Sequence, residues 1–344
     1  MLRTRRSRVP TLVVIAVSAA LVGVAVVMGT FFGAARIPPS DVVAALLRRS
    51  GSWQETVVWS IRLPRALLGL MVGGGLALAG ATLQGLFRNP LADPGILGVS
   101  SGASLGAVLV IILGLSAQAV WLLPVAAFAG AVMTALLVFA IAARRGRGRI
   151  FTGTLLLVGI AVSALNVSLV TFALSLSLDN YDVGRQVMYW LLGGLEGRTW
   201  DHVLLGAPAV IVGGAIVVAH ARSLDALLLG ETGAQSVGVD LPRVRLILTV
   251  ATSLVVGASV AVAGPIGFVG LLIPHIVRLA VGPGHRVLMP LSFFLGGVFV
   301  VFADLVARTV LAPGEIPVGV VTAAVGAPIF LALLVRRGGE VAVS

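Results

Sequence analysis

The 344-residue chain contains no cysteine and no lysine, and both absences limit the chemistry that it can perform. Without cysteine it forms no disulfide, no thiolate-ligated iron–sulfur cluster and no thiol nucleophile. Without lysine it has no phosphate-binding loop of the G-x-x-x-x-G-K-[ST] type and no Schiff-base lysine. If ATP drives this protein, another polypeptide therefore binds the nucleotide. The four histidines show no metal-ligand spacing, so we expect no metal and no cofactor.

Charged residues are also scarce, at 11% of the chain against about 25% in soluble globular proteins. Hydrophobic residues make up 58% of the chain, and the mean hydropathy is +1.10. The apolar runs are continuous rather than alternating, which favours membrane-spanning helices over a β-barrel. We therefore predict an all-α integral membrane protein in contact with lipid, with a single transmembrane domain over residues 1–344.

Ten segments contain the roughly 20 apolar residues that a helix needs to cross a bilayer. Gly264-Pro265 predicts a reversal between the seventh and the eighth, with one kinked span as the alternative. The first could be a cleaved signal, but its apolar run exceeds the usual core of about 7–15 residues, so we expect a retained helix. The ten segments are 12–33, 65–86, 95–115, 120–143, 151–175, 202–221, 246–263, 264–281, 287–307 and 316–335.

The net charge of +11 comes from arginines in short runs between the apolar segments. This placement favours a role in membrane topology over nucleic-acid binding. Ten spans with the amino terminus inside put 16 of the 24 arginines on the cytoplasmic side. The sequence therefore predicts a multi-pass protein of the bacterial inner membrane with both termini in the cytoplasm.

Several motifs together carry a specific family resemblance over residues 12–337. They include Arg62-Leu63-Pro64-Arg65, Asn89-Pro90-Leu91-Ala92-Asp93-Pro94, Gly98-Val99-Ser100-Ser101-Gly102, Gly270-Leu271-Leu272-Ile273-Pro274-His275 and Glu315-Ile316-Pro317-Val318-Gly319. In combination they strongly resemble the FecCD-type ABC transporter permeases, which import iron–siderophores, haem and cobalamin.

The resemblance implies the ten-helix architecture of a type II ABC importer permease, which is a transport subunit and not an enzyme. It also implies three partners: an ATP-binding ABC subunit, an extracytoplasmic substrate-binding protein and a second permease subunit, either identical or a close paralogue. We expect an iron–siderophore as the substrate, with haem or cobalamin as the alternative. An ion-coupled secondary transporter is less favoured, because Asp304 is the only carboxylate near the interior of a span.

The predicted cytoplasmic segment 222–245 has the pattern of two short amphipathic helices. Ser223 can cap the first, Gly230 interrupts the pair, and the second runs over 231–237. A solvated loop helix is the simplest interpretation. The family resemblance instead implies the segment that couples the permease to its ATPase, through Leu228, Gly230, Glu231 and Gly238.

The resemblance implies a second set of residues that bind acidic side chains of the substrate-binding protein: Arg62, Arg65 and Arg308. Arg62 and Arg65 are three positions apart, so a helical turn would place them on one face. The alternative is that these arginines extend to the membrane interface and that Arg308 pairs with Asp304, four residues earlier.

A third set, implied by the resemblance, is a cytoplasmic gate formed by Asn89, Leu91 and Thr152. The local sequence also has a simpler interpretation that does not exclude the gate. Asp93 can cap the helix that follows, with Pro94 in its first turn.

Overall fold

The structure is a computed structural model that describes residues 11–33, 35–48, 51–145, 152–177 and 180–338. Over these ranges the chain forms helices and turns, with no strand. A π-helical turn (Val57–Arg62) precedes α4, and a 3₁₀ turn (Pro94–Leu97) precedes α5. The α-helices are α1 (Thr11–Phe31), α2 (Pro39–Arg48), α3 (Trp53–Thr56), α4 (Leu63–Leu86), α5 (Val99–Ile112), α6 (Leu122–Arg145), α7 (Thr152–Ser175), α8 (Tyr181–Leu191), α9 (Trp200–Ala219), α10 (Ala221–Leu227), α11 (Glu231–Ser236), α12 (Leu241–Ala263), α13 (Val269–Val281), α14 (His285–Ala307) and α15 (Val318–Gly338).

Apolar helices occupy all ten predicted segments. Six of them are long and apolar enough to cross a membrane: α4 with the turns before it, α6, α7, α9, α12 and α14. At the other four predicted positions the apolar stretch within the described residues is shorter: Ala16–Phe31 of α1, Val99–Ile112 of α5, Val269–Val281 of α13 and Val318–Leu333 of α15. The all-α membrane class is therefore confirmed, whereas the number of crossings stays a prediction.

The helix ends define two opposite ends of the bundle. The start of α4, the loop 192–199 and the residues before α15 meet at one end, which we name the Arg65 end. Helix α10 and the start of α14 meet at the other, which we name the Gly230 end. Helix α14 runs between the two, so groups attached to its first and last turns belong to opposite faces of the protein.

Helix α4 is the centre of the bundle and packs against α1, α9, α12, α13 and α14. Small residues allow this close approach, because a side chain at the crossing points would keep the backbones apart. A methyl group at Gly73 would overlap the carbonyl oxygen of Gly296 in α14, and one at Gly80 would overlap that of Gly270. Close packing of backbones therefore explains Gly73 and Gly80 of α4.

The seventh and eighth apolar segments are separate helices. Helix α12 ends at Ala263, and Gly264 has a φ of +69° that favours glycine. The chain then stays non-helical as far as Phe268, and α13 begins at Val269. The predicted break at Gly264 is confirmed, but the eighth helix begins five residues later than predicted.

Four short elements at the Arg65 end were not predicted: α2, α3, the π-helical turn and α8. Side-chain bonds to the main chain hold them in place. The indole nitrogen of Trp59 donates to the carbonyl of Ala45 (3.1 Å), and that of Trp200 donates to the carbonyl of Trp59 (2.7 Å). Asn180 caps α8 by accepting from the backbone N–H of Val183 (3.3 Å).

We predict that the Arg65 end faces outward, because most arginines lie towards the opposite side. The chain has no cysteine, so single cysteines can be introduced at the exposed residues Thr56 and Ser236 without further changes. In intact cells a membrane-impermeant thiol reagent should label Thr56→Cys and not Ser236→Cys. Both variants should react after the cells are lysed, and labelling of Ser236→Cys alone in intact cells would reverse the orientation.

Candidate functional site

Two short helices with a glycine between them form the surface of the Gly230 end. Helix α10 ends at Leu227 and α11 begins at Glu231. Gly230 has a φ of +93° and Gly238 one of +85°, both in the left-handed region that favours glycine. The predicted glycine break is confirmed. The predicted cap is wrong, because α10 begins at Ala221, two residues before Ser223.

Large apolar side chains of these helices are exposed. The exposed fractions are 46% for Leu228, 70% for Leu229 and 61% for Val237. Glu231 lies beside them and pairs with Arg245 at 2.6 Å (Oε1 to Nη2). An apolar patch with a charged rim is typical of a surface that binds another protein. The predicted coupling residues thus lie in one surface segment, although their coupling role stays a prediction.

Asp225 ties this surface to the membrane helices, which the sequence did not predict. Its Oδ1 accepts from the backbone N–H of His285 (2.6 Å) and lies 3.0 Å from the ring Nδ1. The carboxylate therefore caps the first residue of α14, where the helix dipole favours negative charge. No signal in the local sequence links two residues that are 60 positions apart.

Two of the predicted gate residues, Asn89 and Leu91, lie at the same end of the bundle, in a loop held by its own side chains. Asn89 Oδ1 accepts from the N–H of Leu91 (2.9 Å), and Asp93 Oδ1 accepts from that of Gly95 (2.8 Å). The capping interpretation of Asp93 is confirmed. Burial raises the pKa of Asp93, and the hydrogen bond from Gly95 opposes the rise.

Thr152 begins α7 on the neighbouring side of this loop. Phe87 precedes the loop and packs against the apolar cluster that contains Leu155 and Val158 of α7. The loop and the start of α7 are therefore neighbours. The gating role of Asn89, Leu91 and Thr152 stays a prediction.

At the Arg65 end a single guanidinium group binds two carboxylates. Arg65 contacts Asp304 of α14 through Nη2 (2.8 Å) and Nε (2.9 Å). It contacts Glu315, just before α15, through Nη2 (2.7 Å) and Nη1 (3.0 Å). Arg65 is 5% exposed and Asp304 is 2% exposed. This buried fork joins α4 to both neighbouring segments, and two-atom contacts of this kind fix geometry as well as energy.

The other two predicted arginines complete a buried cluster. Arg62 donates through Nη1 to the carbonyls of Thr30 (3.1 Å) and Phe31 (2.7 Å), and its Nη2 contacts the carbonyl of Ala35. Arg308 donates to the carbonyl of Gly29 (2.7 Å), and its Nε lies 3.4 Å from Asp304 Oδ2. The arginines therefore bind the carbonyls at the end of α1, which have no partner within the helix.

This geometry corrects two expectations drawn from the sequence. Asp304 does pair with Arg308 across one helical turn, but the pair is buried and not on the helix surface. Arg62, Arg65 and Arg308 do lie together, but each is at most 5% exposed and has internal partners. Their predicted role in docking a binding protein is therefore not needed to explain their presence, and it stays a prediction.

Beside this cluster lies a cavity of about 450 Å³. Helix α8, the loop 192–199 and the residues before α15 form its walls. Arg65 and Glu315 line one side, and Arg185 and Arg198 line another. A cavity of this size and polarity is typical of a small-molecule site, and it opens where the predicted outward face lies.

Comparison with known proteins decides the family. The sequence profile of the FecCD transport family matches residues 10–336. The chain belongs to the FecCD transport family.

Curated relatives of this FecCD protein are permeases. The cobalamin import system permease protein BtuC of Halobacterium salinarum is 49% identical over 82% of this chain and 74% of its own length. The vitamin B12 import system permease protein BtuC of Vibrio cholerae is 46% identical over 83% of this chain and 85% of its own. An uncharacterized ABC transporter permease of Bacillus subtilis, YvrB, is 41% identical over 83% of this chain and 80% of its own.

Solved structures agree with this assignment. A transporter assigned to the metal-chelate type of ABC transporter, in an inward-facing conformation, matches with a TM-score of 0.83 and 31% identity. The match covers 94% of this chain and 99% of that one. PsaBC of Streptococcus pneumoniae in complex with Fab has a TM-score of 0.53 at 17% identity, which shows the fold alone. This FecCD protein is therefore an ABC importer permease, a transport subunit within the membrane.

We predict that Asp304 contributes more to the stability of this permease than Glu315 does. Asp304→Asn leaves Arg308 without a carboxylate partner and Arg65 with only one, in a buried site. Removing one partner of a buried pair costs about 3–5 kcal/mol. Glu315→Gln should cost less, since its side chain is 20% exposed and water can replace the lost contact. Thermal unfolding of the purified permease in detergent would measure both, and equal losses would contradict the prediction.

Proposed function

We propose that this chain is the membrane-spanning subunit of an importer for cobalamin or a closely related corrinoid. The observation that carries the proposal is the identity of 49% to a cobalamin import permease over 82% of this chain. A second relative that imports vitamin B12 is 46% identical over a similar range. These two relatives support cobalamin, the alternative that we gave to the expected iron–siderophore.

An iron–siderophore is the second candidate, and the solved metal-chelate type transporter favours it. Haem remains a member of the same substrate class. Both candidates are bulky metal complexes, and a single permease architecture suits them because an external binding protein would select the substrate. An ion-coupled mechanism is disfavoured, since two arginines already neutralise the buried carboxylate of Asp304.

ATP binding belongs to a partner subunit in this proposal, because the chain has no lysine for a phosphate-binding loop. The exposed side chains of Leu228, Leu229 and Val237 support the Gly230 end as the surface that the ATPase binds. We assign the coupling role to segment 222–245, with Leu228, Gly230, Glu231 and Gly238 at its contact surface. This end would then lie in the cytoplasm together with both termini, and a second permease subunit would complete the pore.

Docking of an extracytoplasmic binding protein at the Arg65 end is a further part of the proposal. Carboxylates of that protein would reach Arg62, Arg65 and Arg308 by exchanging with internal partners. The buried cluster holds three guanidinium groups and only the two carboxylates Asp304 and Glu315, so an additional acidic side chain is favoured electrostatically. Charge reversal of these arginines would also break internal contacts, so docking and stability have to be measured on the same variant.

The substrate can be tested in proteoliposomes that contain the permease, its ATPase and its binding protein. We expect labelled cobalamin to accumulate only with ATP, and unlabelled cobalamin to compete. Ferric siderophores and haem should be transported poorly under the same conditions. Accumulation of a ferric siderophore without accumulation of cobalamin would transfer the assignment to the second candidate.

Coupling can be tested at Gly230. Gly230→Val places a β-branched residue at a φ of +93° and a ψ of 168°, a conformation essentially restricted to glycine that costs other residues about 1–3 kcal/mol. We expect the coupled arrangement to lose population by roughly 5–150-fold, so less substrate enters for each ATP hydrolysed. Thr232→Val, at an exposed position in the same segment, is the matched control and should keep the wild-type ratio. An unchanged ratio for Gly230→Val would reduce the segment to a solvated loop.

A further inference from the structure

The cavity at the Arg65 end has walls that are fixed by main-chain contacts. Gly193 has a φ of +67°, and a side chain there would overlap the carbonyl oxygen of Pro265. The N–H of Gly194 donates to the carbonyl of Ala263 (2.8 Å), and the N–H of Gly319 donates to that of Gly193 (3.1 Å). The loop that carries Arg198 is therefore anchored to α12 and α15, so the cavity is largely preformed.

Arg198 lines this cavity without a carboxylate partner. Its Nη1 lies 3.2 Å from Nε2 of His202, and no ion pair to it is present in the described part of the chain. Burial lowers the pKa of Arg198 to about 10, and the charge of Glu196 acts in the opposite direction. The contact with His202 does not neutralise the charge of Arg198, and its buried Nε has no hydrogen-bond partner among the described residues.

A second arginine of the cavity is also unpaired. Arg185 lies over the ring of Tyr189, with its guanidinium carbon 5.6 Å from the ring centre. It forms no ion pair with any carboxylate in the described ranges, although Asp182 lies one turn earlier on α8. The stacked ring holds the guanidinium group at the cavity and leaves its N–H groups available.

The acidic side chains of the cavity do not cancel these charges. Glu315 is bound by Arg65 through two contacts. Asp182 and Glu196 are exposed, and water and salt screen exposed carboxylates. Arg198 lies deeper than either of them. The deeper wall of the cavity therefore carries the charge of Arg198, while its exposed rim combines Arg185 with the two carboxylates.

We propose that this cavity is a receiving subsite of the permease for an anionic oxygen group of the substrate, held by Arg198 and Arg185. Guanidinium groups bind phosphate and carboxylate oxygens through paired N–H donors. The group would be the phosphodiester of cobalamin, or a free carboxylate on a ferric siderophore. The inference rests on the proposed importer function and adds the substrate chemistry that the permease itself recognises.

The dimensions of the cavity fit one arm of a bulky substrate and not the whole. A volume of about 450 Å³ lies within the range of small-ligand pockets and is too small for a corrin ring with its substituents. The exposed ring of Tyr189 can contact the apolar face of the remaining substrate. Arg198 would therefore orient the substrate by its charged arm after the binding protein releases it.

The test compares cobalamin with cobinamide, which has the same corrin ring but lacks the phosphodiester and the nucleotide. The complete transporter, with its ATPase and binding protein, is reconstituted with wild-type permease or with Arg198→Gln. At subsaturating substrate, Arg198→Gln should slow cobalamin uptake by about tenfold, the scale of one charge-assisted hydrogen bond, and leave cobinamide uptake unchanged. Arg198→Lys should recover part of the loss, and Arg185→Gln should act in the same direction.

Arg36→Gln is the matched control, since Arg36 is exposed and does not line the cavity. It should leave the uptake of both compounds unchanged. Basal ATP hydrolysis and the affinity for the binding protein should be the same in all variants. Equal losses for cobalamin and cobinamide, or a loss of binding-protein affinity, would overturn the subsite and give Arg198 a role in folding or docking.

A second experiment distinguishes failure of the proposed subsite from failure of the cobalamin assignment. If the wild-type transporter imports neither corrinoid, the cobalamin proposal fails and the arginines are tested with two ferric siderophores. One carries free carboxylates and the other carries none. A loss with Arg198→Gln that is confined to the carboxylate-bearing siderophore supports the subsite. Equal uptake of that siderophore by the wild-type transporter and by Arg198→Gln overturns it.

Discussion

The guanidinium group of Arg65, held between Asp304 and Glu315, is the contact on which the Arg65 end of the structure depends. An unpaired charge is costly in a protein interior, so the three side chains have to stay within hydrogen-bond distance of one another. This requirement fixes the last turn of α14 and the start of α15 against α4. Arg62 and Arg308 extend the restraint to the end of α1, and Arg65 and Glu315 form one wall of the adjacent cavity.

Hydropathy predicted the ten apolar helices because lipid requires long, uncharged, internally hydrogen-bonded segments. It could not find the start of α13, since the non-helical residues 264–268 carry no charge and do not interrupt the apolar run. The short helices α2, α3 and α8 were also missed. Contacts outside the local sequence stabilise this region: Trp59 of the π-helical turn donates to Ala45 of α2, and Trp200 donates to Trp59, 141 positions away.

The candidate site was predictable where its signal is local. Gly230 and Gly238 mark changes of backbone direction that the sequence shows directly, and Asp304 with Arg308 is a visible pair across one turn. Arg65 and Asp304 are 239 positions apart, so their contact follows only from the packing of α4 on α14. The sequence shows the glycines that permit this packing, but it does not show which residues they pack against.

Helix α14 is fastened at both ends, by Asp225 to its first residue and by Arg65 to Asp304 near its last turn. The two attachment points are about 28 Å apart along the helix axis, so a tilt of α14 about one point displaces the other. A tilt of about 5° about the His285 end would move Asp304 by about 2.5 Å, close to the full 2.8 Å length of its contact with Arg65. Displacement of the first turn of α14 would therefore strain the arginine cluster at the other end of the helix.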